Sequence, residues 1–365
     1  MFDFKIENEC GDARACEIKL AHGIVKTPVF MPVGTAGSVK GLTNEMINAT
    51  NAQIILGNTY HLMLRPGEER MQNFGGLHKF MNWSKPILTD SGGFQVMSLS
   101  GLRKITEDGV VFRSHIDGTK FMLTPERSIE IQYKIGSDLT MIFDECPSFP
   151  ITYKKAKKSM ELSLRWARRS KDAYINRYGY GLFGIVQGSV FEDLREISAK
   201  SLQEIEFDGY AIGGLAVGEG QDEMLKTIDF TILFLPKNKP RYLMGVGKPY
   251  DLIKAVARGI DMFDCVLPSR VARNGLAYTR NGEIRLKNAQ YSDSQMPIDK
   301  KCFCYACKNH TLGYIQHLFK NKEILAATLM TIHNLTFYQD LMSAIRNSII
   351  NKTFHKNITI DELFA

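Results

Sequence analysis

Eight short apolar runs, rich in β-branched and aromatic residues, recur between residues 29 and 265 and constrain the fold more than any other feature. They occupy residues 29–33, 53–57, 86–90, 139–144, 182–187, 209–213, 242–246 and 260–265. Runs of this length without polar alternation suit strands covered on both faces, as in a parallel sheet. Helical patterns fill most of the gaps. Thr124-Pro125-Glu126 offers a capping hydroxyl and a proline for the first turn, with Gly136 as a stop; Pro249 opens another helix that Gly259 ends. Eight strands alternating with helices predict an α/β chain folded as a (β/α)8 TIM barrel, with a doubly wound open sheet as the competing arrangement.

Two hairpin signals interrupt the alternation. Residues 110–116 and 120–123 flank Asp117-Gly118, and residues 276–279 and 283–286 flank Arg280-Asn281-Gly282. A cysteine cluster and a helical pattern from residue 323 to about 350 follow. The expected division is a barrel over residues 1–272, with N-terminal strands and an inserted hairpin near 110–123, then a zinc-binding subdomain over 273–350 and a tail over 351–365. No stretch approaches the ~18 apolar residues of a membrane span. The first residues lack the basic and apolar segments of a secretory signal. A cytoplasmic protein with reduced thiols is expected, and an odd count of 7 cysteines fits.

Three of those cysteines crowd into Cys302-x-Cys304-x-x-Cys307. Three thiolates at this spacing suit tetrahedral Zn2+ completed by one histidine. His310 and His333 are equal candidates by spacing, with His317 behind them. A Cys3His set leaves no open coordination position, so the metal is structural.

Polar groups follow the apolar runs in one register: Asp90, Asp144, Gln187, Gly213-Gly214, Met244-Gly245 and Asp264. In a barrel these strand ends converge on one mouth, where catalytic groups sit. Ser91-Gly92-Gly93-Phe94 after Asp90 lets backbone approach a ligand and offers an aromatic face. Asp144 and Gln187 suit the edge of a planar heterocycle. Asp264, between Phe263 and Cys265, suits a nucleophile toward a sugar carbon. Arg270 and Arg273 lie just beyond it and suit phosphate or base edges. Residues 266–365 hold 13 Lys/Arg against 7 Asp/Glu, nearly all of the +7 of the whole chain. A polyanion is therefore expected at that end.

At these residues the chain resembles the tRNA-guanine transglycosylases, the queuine tRNA-ribosyltransferases, of the bacterial type. The resemblance is carried by Thr89-Asp90-Ser91-Gly92-Gly93-Phe94-Gln95, Phe143-Asp144-Glu145-Cys146, Ile185-Val186-Gln187-Gly188 and Gly213-Gly214-Leu215-Ala216-Val217-Gly218-Glu219. Tyr242-Leu243-Met244-Gly245-Val246-Gly247, Met262-Phe263-Asp264-Cys265, residues 268–275 and the three cysteines complete it. It spans nearly the whole chain. Phe94 stands where many relatives carry Tyr, Ser189 where Gly is usual and Ser269 where Thr is usual; Cys146 and Val217 match the bacterial type.

The resemblance implies exchange of guanine at the anticodon wobble position for 7-aminomethyl-7-deazaguanine (preQ1), in queuosine biosynthesis. It implies Asp264 as nucleophile, forming a covalent ester with the ribose C1′, and Asp90 as proton acceptor and general acid–base. It implies base contacts from Ser91, Gly92, Gly93, Phe94, Asp144, Gln187, Gly213, Gly214, Leu215, Glu219 and Met244. Contacts to tRNA are implied for Gly245, Val246, Gly247, Lys248, Pro249, Tyr250 and Asp251, and for Ser269, Arg270, Val271, Ala272 and Arg273. It also implies His333 as the fourth zinc ligand beside Cys302, Cys304 and Cys307, and a homodimer. A non-catalytic tRNA-binding subunit of the same fold is the alternative reading. Such a subunit has no need of Asp264 or Asp90.

Overall fold

The computed structural model describes residues 2–99 and 103–365. Eight parallel strands form one sheet: β1 (Val29–Pro32), β2 (Ile55–Gly57), β3 (Ile87–Thr89), β4 (Leu139–Met141), β5 (Gly181–Val186), β6 (Gly209–Ile212), β7 (Arg241–Leu243) and β8 (Met262–Cys265). Each pairs with its sequence neighbours, and β8 returns to β1 with Asp264 opposite Met31. A parallel bridge from Val33 to Leu56 joins the remaining edge. The sheet is therefore a barrel, and the open-sheet alternative falls. Closure explains why the runs lack polar alternation: one face fills the barrel and the other meets helices. The residues of β1, β5 and β6 are all buried.

The helix signals act as local chemistry requires. Thr124 Oγ1 accepts the Arg127 N–H at 3.1 Å at the start of the helix Pro125–Ile135, and Gly136 ends it at φ +82°. The helix Pro249–Val256 follows β7. The apolar run after residue 139 predicts a strand through 144, but the ladder stops at Met141, so Asp144 stands clear of the sheet at the mouth.

The hairpin expected near 110–123 is a three-stranded sheet. Val110–Arg113 and Lys120–Leu123 are joined by Arg103–Ile105, whose Arg-Lys pair hides its strand pattern. An antiparallel sheet of Asp3–Cys10, Ala13–Leu20 and Gly23–Thr27 lies at the opposite end of the barrel from the mouth. Its Ala21 N–H donates to Gly179 O at 2.8 Å, and a side chain at Gly179 would stand 2.7 Å from Ala21 N. The buried ion pair Arg14–Asp261 ties the sheet to the entry of β8.

After β8 the chain makes the helix Leu267–Arg273 and the hairpin Leu276–Thr279 with Gly282–Arg285. The cysteine segment and the 27-residue helix Ile324–Ile350 follow. That helix is buried on most sides. Its first half packs with Cys302, Cys304 and Ile315, while Tyr338, Leu341 and Ile345 pack on the barrel. Gln339 Nε2 donates to Phe30 O at 3.0 Å, placing the helix against β1.

Candidate active site

The C-terminal strand ends surround a cavity of about 330 Å³. Asp90, Ser91, Gly92, Phe94, Asp144, Gln187, Gly213, Gly214, Leu215, Met244, Gly245, Asp264 and Arg270 all line it. A larger open groove of about 900 Å³ adjoins it across Phe94, Cys146, Ala216 and Val217, but none of the three aspartates faces it.

Asp264 leaves β8 partly buried. Its Oδ1 accepts the Tyr242 hydroxyl at 2.6 Å and the Gly245 N–H at 2.8 Å. Burial raises its pKa, and these two bonds oppose the rise. Tyr242 is itself fully buried, and burial beside Asp264 holds its own pKa well up, so it serves as a donor. Asp90 follows β3. Its Oδ1 accepts the N–H of Thr59 at 2.9 Å and of Gly92 at 3.2 Å, and its Oδ2 accepts from Asn58. Burial pushes its pKa up to about 6, with the Asp264 charge adding to the rise.

Asp144 Oδ2 accepts the Gln187 amide at 2.7 Å and Oδ1 the Ser91 hydroxyl at 3.3 Å. Burial lifts its pKa to about 6 as well. Gly213 and Gly214 make room for Gln187: a side-chain carbon at Gly213 would stand 2.8 Å from Nε2, and one at Gly214 2.5 Å from Oε1. Gly93 lies under Asp144, where an added carbon would meet Asp144 O at 2.6 Å. Phe94 is 50% exposed, so its ring is free for stacking. Among the described residues no cation pairs with any of the three carboxylates, and with an aromatic face and an amide beside them the cavity is suited to proton transfer and nucleophilic attack on a polar planar ligand.

Other residues of the sequence-based set stand around this cavity. Glu219 accepts the N–H groups of Ala216 and Val217, the latter at 3.0 Å, and so shapes the loop after β6 from behind. Gly245, Val246, Gly247, Lys248 and Asp251 line an adjoining depression of about 270 Å³. Pro249 is buried at the start of its helix and Tyr250 is exposed. Ser269 and Ala272 are buried, Val271 is half-buried, and Arg270 and Arg273 lie one turn apart on the helix Leu267–Arg273. Neither arginine forms an ion pair among the described residues. Arg273 Nη1 donates to Ser269 O at 2.9 Å.

Behind that helix, the sulfurs of Cys302, Cys304 and Cys307 and a ring nitrogen of His333 lie within 4.8 Å of one another, all buried. His333 Nδ1 is 3.3 Å from Cys307 Sγ and 3.8 Å from Cys304 Sγ. Its Nε2 donates to Tyr278 O at 2.8 Å, which leaves Nδ1 free to ligate. His310 instead stacks on Tyr314, and His317 Nδ1 meets Asn321. This donor set can hold a metal ion.

The family model described as queuine tRNA-ribosyltransferase matches residues 9–360. The chain belongs to that family. The queuine tRNA-ribosyltransferase of Rickettsia massiliae (strain Mtu5) is 60% identical over 348 residues, covering 95% of this chain and 96% of the relative. That of Rickettsia bellii (strain OSU 85-389) is 59% identical with the same coverage. That of Rickettsia typhi (strain ATCC VR-144 / Wilmington) is 59% identical over 345 residues, 94% of this chain and 96% of the relative.

The residues that hold the carboxylates carry no motif of their own in the sequence. Asn58 and Thr59 follow β2 and grip Asp90 from 32 and 31 positions away. The signal was present, since a polar pair follows the apolar run there as in the other strands. Tyr242 stands in an apolar run and in a family motif, and neither marks it as the donor to Asp264. No helix of the described residues is long and apolar enough to cross a membrane.

Proposed function

We propose that Asp264 attacks the ribose C1′ of a guanosine in the anticodon loop of tRNA, and that Asp90 manages the protons while guanine is exchanged for preQ1. The chain is a tRNA-guanine transglycosylase by family; the division of labour among its residues is our reading. One observation carries it: Asp264, Asp90 and Asp144 face a single cavity, and among the described residues no cation pairs with any of them.

In the first half, Asp264 bonds to C1′ as the C1′–N9 bond breaks and that bond's electron pair passes to the departing guanine, which takes up the proton of the neutral Asp90 carboxyl. In the second half, Asp90 removes a proton from the incoming base, which attacks C1′ and releases the Asp264 carboxylate. Tyr242 and Gly245 steady that carboxylate in its free form. A group with a pKa of about 6 is suited to hold and surrender a proton near neutrality. Asp144, Gln187 and the Gly214 backbone read the base edge, Phe94 and Met244 cover its faces, and Leu215 O meets the aminomethyl group. The base must leave its stack to reach this cavity, at a cost of a few kcal/mol. Phosphate contacts from Arg270, Arg273 and residues 245–251 offset that cost.

The metal we assign is one structural Zn2+ held by Cys302, Cys304, Cys307 and His333. Three soft thiolates with an imidazole fit it, and no ligand position is left for chemistry. A homodimer and a cytoplasmic location complete the proposal on the strength of the resemblance. Labelled guanine should wash into an anticodon stem-loop, with preQ1 competing. The RNA adduct should survive a denaturing gel for the parent protein and be absent for Asp264→Asn; an adduct of normal yield in that variant would refute the nucleophile. Elemental analysis should find one zinc per chain, lost in Cys304→Ser together with several degrees of thermal stability.

A further inference from the structure

Beneath the base pocket lies a cation that the mechanism above does not use. Arg195, in the first turn of the helix Glu192–Ile205, is 0% exposed. Among the described residues no carboxylate pairs with it, and burial lowers its pKa to about 10, still charged at any working pH. Its Nη1 donates to Val186 O at 2.9 Å and its Nε to Ser189 O at 2.7 Å. These two carbonyls bracket Gln187 in the chain. Ser189 sits at φ +52°, a left-handed conformation that costs about 1 kcal/mol or more in a residue with a side chain. The guanidinium and the Phe191 N–H to Gly188 O bond hold that turn closed.

The third nitrogen, Nη2, is buried and has no partner, and neither has Gln187 Oε1. The two flank Gly214: a carbon added there would stand 2.5 Å from Oε1 and 3.7 Å from Nη2. A guanidinium only donates, whereas an amide can be turned either way about its last torsion. Asp144 also takes the Nε2 end of this amide, but it fixes that choice only while ionised, since a neutral carboxyl can accept from Nε2 or donate to Oε1. Arg195 asks for the Oε1 end at every pH.

We propose that Arg195 is a positioning residue that sets specificity: it holds Gln187 with Oε1 toward the guanidinium and Nε2 toward the pocket. One Nε2 hydrogen then serves Asp144 and the other meets the base, so a 6-oxo purine is accepted and a 6-amino purine is refused. This rests on the reading that Gln187 faces the base. A charge that merely filled the core would have no effect on which base is chosen.

The test is competition against labelled guanine entering an anticodon stem-loop, with unlabelled guanine and 2,6-diaminopurine as rivals. Arg195→Met should raise the KM for guanine and cut the preference for guanine over 2,6-diaminopurine by about tenfold or more. The KM for the stem-loop should stay within about twofold. Arg195→Gln, which refills the space with a neutral group, serves if the Met variant does not fold, and should lose the preference likewise. An unchanged preference in the folded variant, even with a lower kcat, overturns the inference. Failure of the parent protein to incorporate guanine at all would instead count against the function proposed above.

Discussion

Strand β4 has a buried aspartate at each end, and their surroundings are opposites. Asp138, before the strand, is fully buried at the floor of the barrel. It meets His22 at 2.7 Å and His78 at 3.1 Å, and those two rings stack 3.6 Å apart. Burial alone would raise its pKa, but the hydrogen bonds and charges of the two histidines outweigh that, and the net shift is downward. Asp144, after the strand, meets only an amide and a hydroxyl, and burial carries its pKa up to about 6. The floor spends its carboxylates on holding the N-terminal sheet and the helix Leu77–Met81 in place. Among the described residues, the mouth gives its carboxylates neutral hydrogen-bond donors and no cation, which is unfavourable for folding and useful for chemistry.

This contrast can be broken by exchanging one group at each end. The largest effect is expected for Asp264→Asn, with turnover down at least about 10³-fold and the melting midpoint within a few degrees of the parent. Asp138→Asn should do the reverse. Loss of a buried, doubly engaged carboxylate should lower unfolding free energy by about 3 kcal/mol in denaturant titrations, with both Michaelis constants unchanged. An equal loss of activity in the two variants would erase the distinction between floor and mouth.

The pH dependence sharpens it. The folded pKa of Asp144 lies above its ordinary 3.8, so the folded form binds the proton more tightly than the unfolded chain does. Its charge therefore opposes folding above about pH 6, and that penalty fades as pH falls toward 4. Asp144→Asn keeps compatible partners in Gln187 and Ser91, so it should be more stable than the parent at pH 8 by about 1–3 kcal/mol. The gain should vanish near pH 4, while base affinity is poor throughout. Asp138 has the opposite sign: its stabilisation is full above 3.8 and is lost as pH falls through its lower folded value. His22, raised from 6.5, contributes below that value and stops contributing as pH rises through its folded pKa. Calorimetric midpoints from about pH 2 to pH 9 check all three signs. The smallest effect concerns the rim. Arg270→Ala with Arg273→Ala should flatten the slope of log affinity for the stem-loop against log salt by roughly 1.4, from ~0.7 per single-strand phosphate contact.

The barrel was legible because closure makes every strand a short, unbroken apolar run, and the mouth was legible because a polar residue ends most of those runs. Asp90, Asp144 and Asp264 were found by that register alone. Their supports were hidden, because Thr59 to Asp90 and Tyr242 to Asp264 are contacts between elements 31 and 22 positions apart that no local pattern records. Spacing could not separate His310 from His333 for a related reason. The nearer histidine points to Tyr314, and the farther is delivered by another helix. Arg195 stands in sequence among Glu192, Asp193 and Glu196, and nothing in these neighbours announces that its face is covered.

The helix Ile324–Ile350 carries His333 toward the cysteines and, on the next residues, reaches the rim of the barrel. Asn334 Nδ2 donates to Pro268 O and to Leu276 O at 3.0 Å each, and the Tyr338 hydroxyl donates to Gly247 O. Both Pro268 and Gly247 belong to segments that frame Asp264. Removing the metal we assign to that site with a chelator should therefore loosen the wall beside Asp264 while the far wall, around Asp144 and Gln187, keeps its shape. The chain so treated should still bind a free base but should hold poorly the ribose whose bond to the base is exchanged.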